Sequence, residues 1–192
     1  MIESILEEFP TEIELKDGSR CVLRPLASND EKAFHDFFKA VPEKERMFIK
    51  HRVTEPEVVR NWCQHIDLGR NFPLLAVIDG LIIGDATLHQ QLGGWKRHIG
   101  RVSVLVHPKY RARGLARALV AQILEIARRS GIEKVEAEFI GEQETAIRMF
   151  GLMGFTELLR LPGYVKDMQT ATHDYVLMGL DLEIDEEYAG MG

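Results

Sequence analysis

The segment Val102-Ser-Val-Leu-Val-His-Pro-Lys-Tyr-Arg-Ala-Arg-Gly-Leu-Ala116 carries the clearest chemistry in the chain. An apolar strand pattern ends at Pro108, a short basic loop follows, and a helical pattern begins after one glycine. The first N–H groups of a helix have no internal partner, and the helix dipole adds partial positive charge there. Gly114 lets an anion come close to the backbone, and Arg111 and Arg113 add full charges. This is the chemistry of a pyrophosphate cradle. A basic loop that binds nothing is the competing reading. Basic residues at a helix start oppose the dipole, however, which points to an anionic ligand. By the same reasoning Gly114→Asp is expected to abolish anion binding and to disturb folding little.

Acid and base candidates lie elsewhere. Glu136 and Glu138 are two apart on a strand pattern and share a face. Asp85 interrupts an otherwise apolar strand and needs a partner, for which an ammonium is one candidate. His89, His98, His107 and His173 titrate in a useful range, although packed or exposed histidines are the commoner case. Arg46, Lys50, His51 and Arg52 make a basic loop that suits an acceptor with a carboxylate or phosphate, or is simply solvated.

The elements that position these groups follow from pattern. Strands are expected at Ile13–Leu15 and Arg20–Leu26 around an Asp17-Gly18 turn. Two helices follow, with capping boxes at Ser28-x-x-Glu31 and Thr54-x-x-Glu57. Leu74–Ile78, Leu81–Leu92 and Trp95–Val106 read as an antiparallel meander. From Arg113 to Ser130 the period becomes helical, with Leu115, Leu119, Ile123, Ile126 and Ala127 on one face. A strand at Val135–Ile140, a helix at Glu144–Met153 and strands at Leu158–Val165 and Asp174–Leu182 complete the pattern. The fold class is α/β (α+β): a mixed, mostly antiparallel sheet with helices on both faces. Residues 1–182 are expected to form one domain, and residues 183–192 an acidic, mobile tail.

The chain has 192 residues, of which 45% are apolar and 28% charged, with a net charge of −6. That balance disfavours nucleic acid as a partner, since its affinity comes from neutralised phosphates. No apolar run approaches the roughly 20 residues that span a bilayer, and the acidic start lacks signal-peptide character. A cytoplasmic location is expected, with a homodimer allowed. Cys21 and Cys63 read as reduced, buried thiols, and no ligand spacing suggests a metal.

Arg111-x-x-Gly114-x-Ala116 resembles the Q/R-x-x-G-x-G/A signature of the GCN5-related N-acetyltransferases. Ala146-Ile-Arg-Met-Phe-Gly-Leu-Met-Gly154-Phe155 resembles that family's second motif, and Arg24-Pro25 its common early R-P. The resemblance implies acetyl-CoA as cosubstrate and an amine as acceptor. Backbone groups of Val104, Leu105 and Val106 would bind the pantetheine arm on a strand splayed from Val135–Ile140. Amides from Arg111 through Ala112, Arg113, Gly114, Leu115 and Ala116 to Arg117 would hold the pyrophosphate. Gln143 stands where the family has a cofactor-contacting Asn. Phe150 replaces the usual Tyr acid, which leaves the proton donor open. Glu138 stands where some members carry a catalytic Glu, with Glu136 and Asp85 as further candidates. A CoA-binding module without catalysis is the alternative.

Overall fold

Asp17-Gly18 closes the first hairpin. Gly18 takes a left-handed φ of +80°, and the Asp17 carboxylate accepts from the Ser19 N–H and hydroxyl at 3.1 and 2.6 Å. The strands it joins, β1 (Thr11–Glu14) and β2 (Arg20–Pro25), pair antiparallel. The computed structural model describes residues 2–46, 49 and 51–183. Met47, Phe48 and Lys50 of the basic loop, and the tail from residue 184, lie outside the described residues.

Ahead of β1 lies a helix that the acidic start does not announce, α1 (Ile2–Leu6), with Ile5 buried in the main core. After β2, residues Ser28–Asp30 form a 3₁₀ turn that leads into α2 (Glu31–Ala40). The expected Ser28 capping box is not what closes this turn. Asp30 does so, taking the Ala27 N–H at 2.8 Å and both Arg24 guanidinium arms at 2.6 Å. Burial opposes the Asp30 charge, but these donors outweigh it and hold the carboxyl below its ordinary range. The Arg24-Pro25 pair is therefore a structural pin. A one-turn helix, α3 (Glu43–Arg46), was also not legible, being too short for a period. In α4 (Pro56–Gln64), Pro56 occupies the first turn and Glu55, rather than Thr54, is the N-cap residue.

Six further strands and two helices follow: β3 (Asn71–Ile78), β4 (Leu81–His89), β5 (Ile99–Val106), α5 (Leu115–Arg129), β6 (Lys134–Ile140), α6 (Glu144–Leu152), β7 (Thr156–Lys166) and β8 (Thr172–Asp181). The first meander strand starts earlier than expected, at Asn71, and the other two are shorter than expected. Residues 90–98 form a loop in which Trp95 is 86% exposed, so its apolar character marks no strand. The sheet runs β1-β2-β3-β4-β5-β6-β8-β7, with every pair antiparallel except β5 with β6. That one parallel pair is joined through α5, as a crossover requires.

Strand alternation sorts the core into two layers. Leu74 belongs to the cluster that includes Leu115, Leu119 and Ile123 of α5 and Phe150 of α6. Its neighbour Leu75 belongs to the cluster with Phe34, Phe37 and Phe38 of α2 and Val59 and Cys63 of α4. Helices thus cover both faces. The Gly84 Cα lies so close to α5 that an added Cβ would stand 2.8 Å from the Leu119 Cδ1, which seats the helix tightly over β4. Among the described residues no helix is long and apolar enough to cross a membrane.

Candidate active site

β5 and β6 pair only at Ile99↔Lys134, Gly100↔Val135 and Arg101↔Glu136. Beyond that point they part. β5 stays with β4 as far as Val106↔Gly84, and β6 stays with β8 as far as Ile140↔Tyr175. Val104, Leu105 and Val106 therefore present a strand edge to a gap rather than to β6. Val104 and Val106 pack toward α5, and Leu105 packs toward α2 and α4.

The open end of the gap meets the start of α5. Ala112 and Gly114 are both left-handed, with φ of +61° and +83°. Such turns curl the backbone so that successive N–H groups converge. A non-glycine residue held this way costs about 1–2 kcal/mol, strain of the kind found at functional sites. The first ladder bond of α5 is Ala118 N–H to Gly114 O, and Gly114 has no side chain to cap the amides before it. Leu115, 1% exposed, anchors the helix start, while Arg117 is exposed. This backbone fits a bound pyrophosphate.

The two arginines of the signature do not point idly into solvent. Arg111 grips Glu45 of α3 with both arms, at 2.9 and 2.8 Å, and its Nε donates to the Val106 carbonyl at 3.2 Å. Arg113 pairs with Asp17 at 2.7 Å, donates to the Lys109 carbonyl at 3.0 Å and lies over the Tyr110 ring. The acids that a basic helix start lacks in sequence are supplied from other segments. A groove of about 270 Å³ runs beside Gly114 between Lys16, Arg113 and Arg117. His107 shapes the turn before the loop, its Nδ1 accepting the Lys109 N–H at 3.2 Å. Burial, with Lys109 and Arg111 nearby, lowers its pKa. At the far side of the gap Gln143 accepts the Ile140 N–H through Oε1 at 2.9 Å, which leaves its NH₂ to donate elsewhere.

The face of the sheet turned toward α2 and α4 gathers the polar groups in rows set by strand register. One row is Asn71↔His89↔Arg101↔Glu136. The next holds Thr87↔Ser103 on one side of the gap and Glu138↔Leu177 on the other. The third holds Asp85↔Leu105, then Ile140↔Tyr175. Ser103 and Glu138 thus face each other across the first open row. Glu138 receives Arg101 Nη1 at 3.3 Å and the Tyr175 hydroxyl at 3.2 Å. Burial first, and the Glu138 charge second, push the Tyr175 pKa up to about 12. Asp85 is 6% exposed; burial pushes its carboxyl up to about 7, with the Thr87 hydroxyl at 3.2 Å opposing the shift. Phe150 is 1% exposed, with the Phe139 and Phe155 rings at 5.0 and 4.9 Å.

Glu138, Glu136 and Asp85 therefore share one face, and Asp85 alone of the three is closed off from it. His98 and His173 do not join the rows; His173 is bound between Glu142 and Asp167, and both raise its pKa. Arg101, Ser103 and Tyr175 were not singled out from sequence. Alternation along the strands would have put Ser103 on the face of Arg101, but only register brings either to Glu138.

A strand parted from its parallel neighbour, with a glycine-capped helix start at the mouth, is the layout that the resemblance to the GCN5-related N-acetyltransferases implies. A profile of the Acetyltransferase (GNAT) family matches residues 34–155, and the chain belongs to that family. The L-methionine sulfoximine/L-methionine sulfone acetyltransferase of Salmonella typhimurium is 30% identical over 84 residues. That match covers 41% of this chain and 49% of the relative, about half its length. An acetyltransferase of Yersinia pestis is 27% identical over 116 residues, 60% of this chain and 68% of that one. The fold matches yncA of Salmonella typhimurium, solved with its cofactor acetyl-CoA, at a TM-score of 0.73 and 21% identity, covering 87% of this chain and 96% of that chain. The GNAT domain of S. lividans PAT matches at a TM-score of 0.73 and 22% identity, covering 90% and 96%.

Proposed function

We propose that the protein is an N-acetyltransferase that moves the acetyl group of acetyl-CoA to a primary amine, of a small molecule or a peptide N-terminus, by direct attack while both are bound. The parting of β5 from β6 beyond Arg101↔Glu136 carries this reading. Acetyl-CoA supplies an acyl carbon activated as a thioester. The backbone of Val104 to Val106 binds the pantetheine arm and polarises the carbonyl, and the amides of Arg111 to Arg117 hold the pyrophosphate. Gln143 donates to the cofactor from across the gap. The Phe150 ring supports that wall from beneath.

A lysine-like amine is neutral in only about one molecule in a thousand at pH 7. Glu138, exposed on the acceptor face, anchors the ammonium and takes its proton, directly or through a water. Arg101 and Tyr175 fix its carboxylate in place. Glu136 adds negative charge one row back, and Asp85 acts only through Thr87, being enclosed. The protein works in the cytoplasm on this reading and engages neither nucleic acid nor membrane.

Release of free thiol from acetyl-CoA against a panel of amines tests the proposal. The panel includes L-methionine sulfoximine and L-methionine sulfone, which the Salmonella relative is named for, together with peptide N-termini. Thiol release with at least one primary amine is the expected result. A second reading, a CoA-binding module without catalysis, draws on the apolar enclosure of Phe150 where the family has its acid. Calorimetric binding of acetyl-CoA without turnover on any amine would establish it instead.

A further inference from the structure

We propose that Asn71, His89 and Ser103 form a proton relay on the acceptor side of the β5–β6 gap, which carries the proton shed by the acceptor nitrogen to the departing sulfur. The proposal rests on the acetyltransferase reading and adds the group that Phe150 leaves missing.

The three residues sit on three neighbouring strands and on one face. His89 stands directly opposite Asn71 on β3 and opposite Arg101 on β5. From there its ring reaches diagonally to Ser103, two residues along β5. His89 Nδ1 lies 2.7 Å from the Asn71 Oδ1, and His89 Nε2 lies 3.2 Å from the Ser103 Oγ. An amide oxygen can only accept, so Nδ1 carries the proton. The neutral ring then offers its Nε2 lone pair to the serine hydroxyl. This is the order of donors and acceptors by which an imidazole, oriented by a third group, activates a hydroxyl or thiol; an asparagine serves as that third group in some such sites.

Position completes the case. Ser103 is exposed and occupies the first row in which β5 has left β6, across the gap from Glu138. Its neighbours Val104 to Val106 are the strand edge that takes the thioester arm on this reading. The other candidates for proton donor fall short. Phe150 has no hydroxyl, Asp85 is enclosed, and the Tyr175 hydroxyl already donates to Glu138. Imidazole, by contrast, exchanges protons near neutral pH. Arg101 and Glu136 continue the row that His89 begins, and Arg101 is paired with Glu138, so an imidazolium formed there meets balanced charge.

The acceptor nitrogen bonds to the acyl carbon, and the carbon–sulfur bond breaks with its electron pair on sulfur. Ser103 takes the proton that nitrogen sheds while passing its own to His89 Nε2. The Asn71 oxygen stabilises the imidazolium through Nδ1–H. The proton then returns through Ser103 to the sulfur, which leaves an amide and a free thiol.

Hydroxylamine is the probe, because it is neutral at pH 7 and has no ammonium for Glu138 to deprotonate. With it, His89→Gln and Ser103→Ala should each lower kcat by about 10²-fold, the low end of general acid–base effects, with acetyl-CoA affinity by calorimetry changed by less than about twofold. The double variant should fall no further than the worse single one, since groups that act as a unit are not additive. A second readout needs no turnover: ¹⁵N-resolved imidazole spectra of the ligand-free protein should show His89 protonated on Nδ1, and Ser103→Ala should move the Nε2 signal. An Nε2–H tautomer, an Nε2 signal indifferent to Ser103→Ala, or wild-type kcat in either variant overturns the relay. Ser103 is exposed and its truncation removes no packing, so that arm stands even if the His89 variant does not fold. A wild-type protein that binds acetyl-CoA yet releases no thiol with any amine overturns the transferase reading, and the relay with it.

Discussion

Gly114→Asp tests the anion cradle most directly, and the structure sets its size. Gly114 has φ +83°, a conformation that costs an L-residue about 1–2 kcal/mol, less for Asp than for most because its short side chain can bond locally. The new Cβ would stand 3.1, 3.2 and 3.3 Å from the Lys16 Cε, Cγ and Cδ, a flexible chain that can swing aside. A carboxylate at a helix start recovers about 0.3–1 kcal/mol from the dipole. The net loss is about 1 kcal/mol, or roughly 2–4 °C in Tm for a domain of this size. Folding is therefore not untouched, which corrects the expectation drawn from sequence alone. The effect on binding is far larger. A carboxylate about 4 Å from a phosphate charge repels it by about 4 kcal/mol at an effective dielectric of 20, which is a loss of more than a hundredfold in affinity. Differential scanning calorimetry and isothermal titration with acetyl-CoA measure the two effects. Gly114→Ala is the control: it should show a similar fall in Tm and a much smaller loss of affinity. A folded Asp variant with wild-type affinity would refute the cradle.

Three further outcomes follow from the acceptor face and the core. Glu138→Gln should lower kcat/KM by about 10²–10⁴-fold at neutral pH with a protonated amine, and the loss should shrink as pH approaches the amine's own pKa; rates equal to wild type from pH 6 to 9 would remove Glu138. Phe150→Tyr places a hydroxyl among Phe139 and Phe155, so it should lower stability by about 1–3 kcal/mol and leave turnover unimproved; a faster enzyme would mean that the site lacks an acid. Asp85 has its pKa raised from 3.8 to about 7, so its ionisation weighs against the fold little at pH 4, increasingly as pH rises to 7, and by a constant amount above that. Asp85→Asn should therefore match wild type in Tm near pH 4 and exceed it above pH 8, where its stability is higher by up to a few kcal/mol; equal Tm values at both ends would mean that the carboxyl is not penalised.

What was legible in the sequence was local. The Asp17-Gly18 turn, the apolar face of α5 and the glycine before it are each decided within a few residues, so pattern alone finds them. α1 and α3 were missed because five and four residues make little more than one turn, too few for a helical period to repeat. Ser28 was preferred to Asp30 as the cap because the capping box is a local pattern, whereas Arg24, which recruits Asp30, arrives from a strand. The acceptor face was half legible. Alternation puts Glu136 and Glu138 on one side of β6, but the partnership of Glu138 with Arg101 and Tyr175 spans 37 residues in either direction and depends on register. The same holds for His89. As one of several histidines it carried no special weight; its bonds to Asn71 and Ser103, 18 and 14 residues away, single it out.

The arginines of the cradle illustrate how long-range pairing changes a local argument. Arg111 meets Glu45 from 66 residues away and Arg113 meets Asp17 from 96 away, so a basic helix start is not left to oppose its own dipole. These pairs do not compete seriously with a bound anion. Arg111 and Glu45 keep side-chain exposures of 40% and 31%, and a pair so open to solvent contributes about 0–1 kcal/mol. A charge-assisted hydrogen bond to phosphate is worth about 1.5–3 kcal/mol, so exchanging Glu45 for phosphate favours the ligand. Asp17 loses still less when Arg113 turns away. The Ser19 hydroxyl and N–H are the largest causes of its lowered pKa, with Arg113 behind both, and they stay with the carboxylate. The paired acids therefore hold the two guanidiniums beside the helix start without binding them there tightly, and on the proposed reading the amides of the glycine-capped turn set where the anion sits.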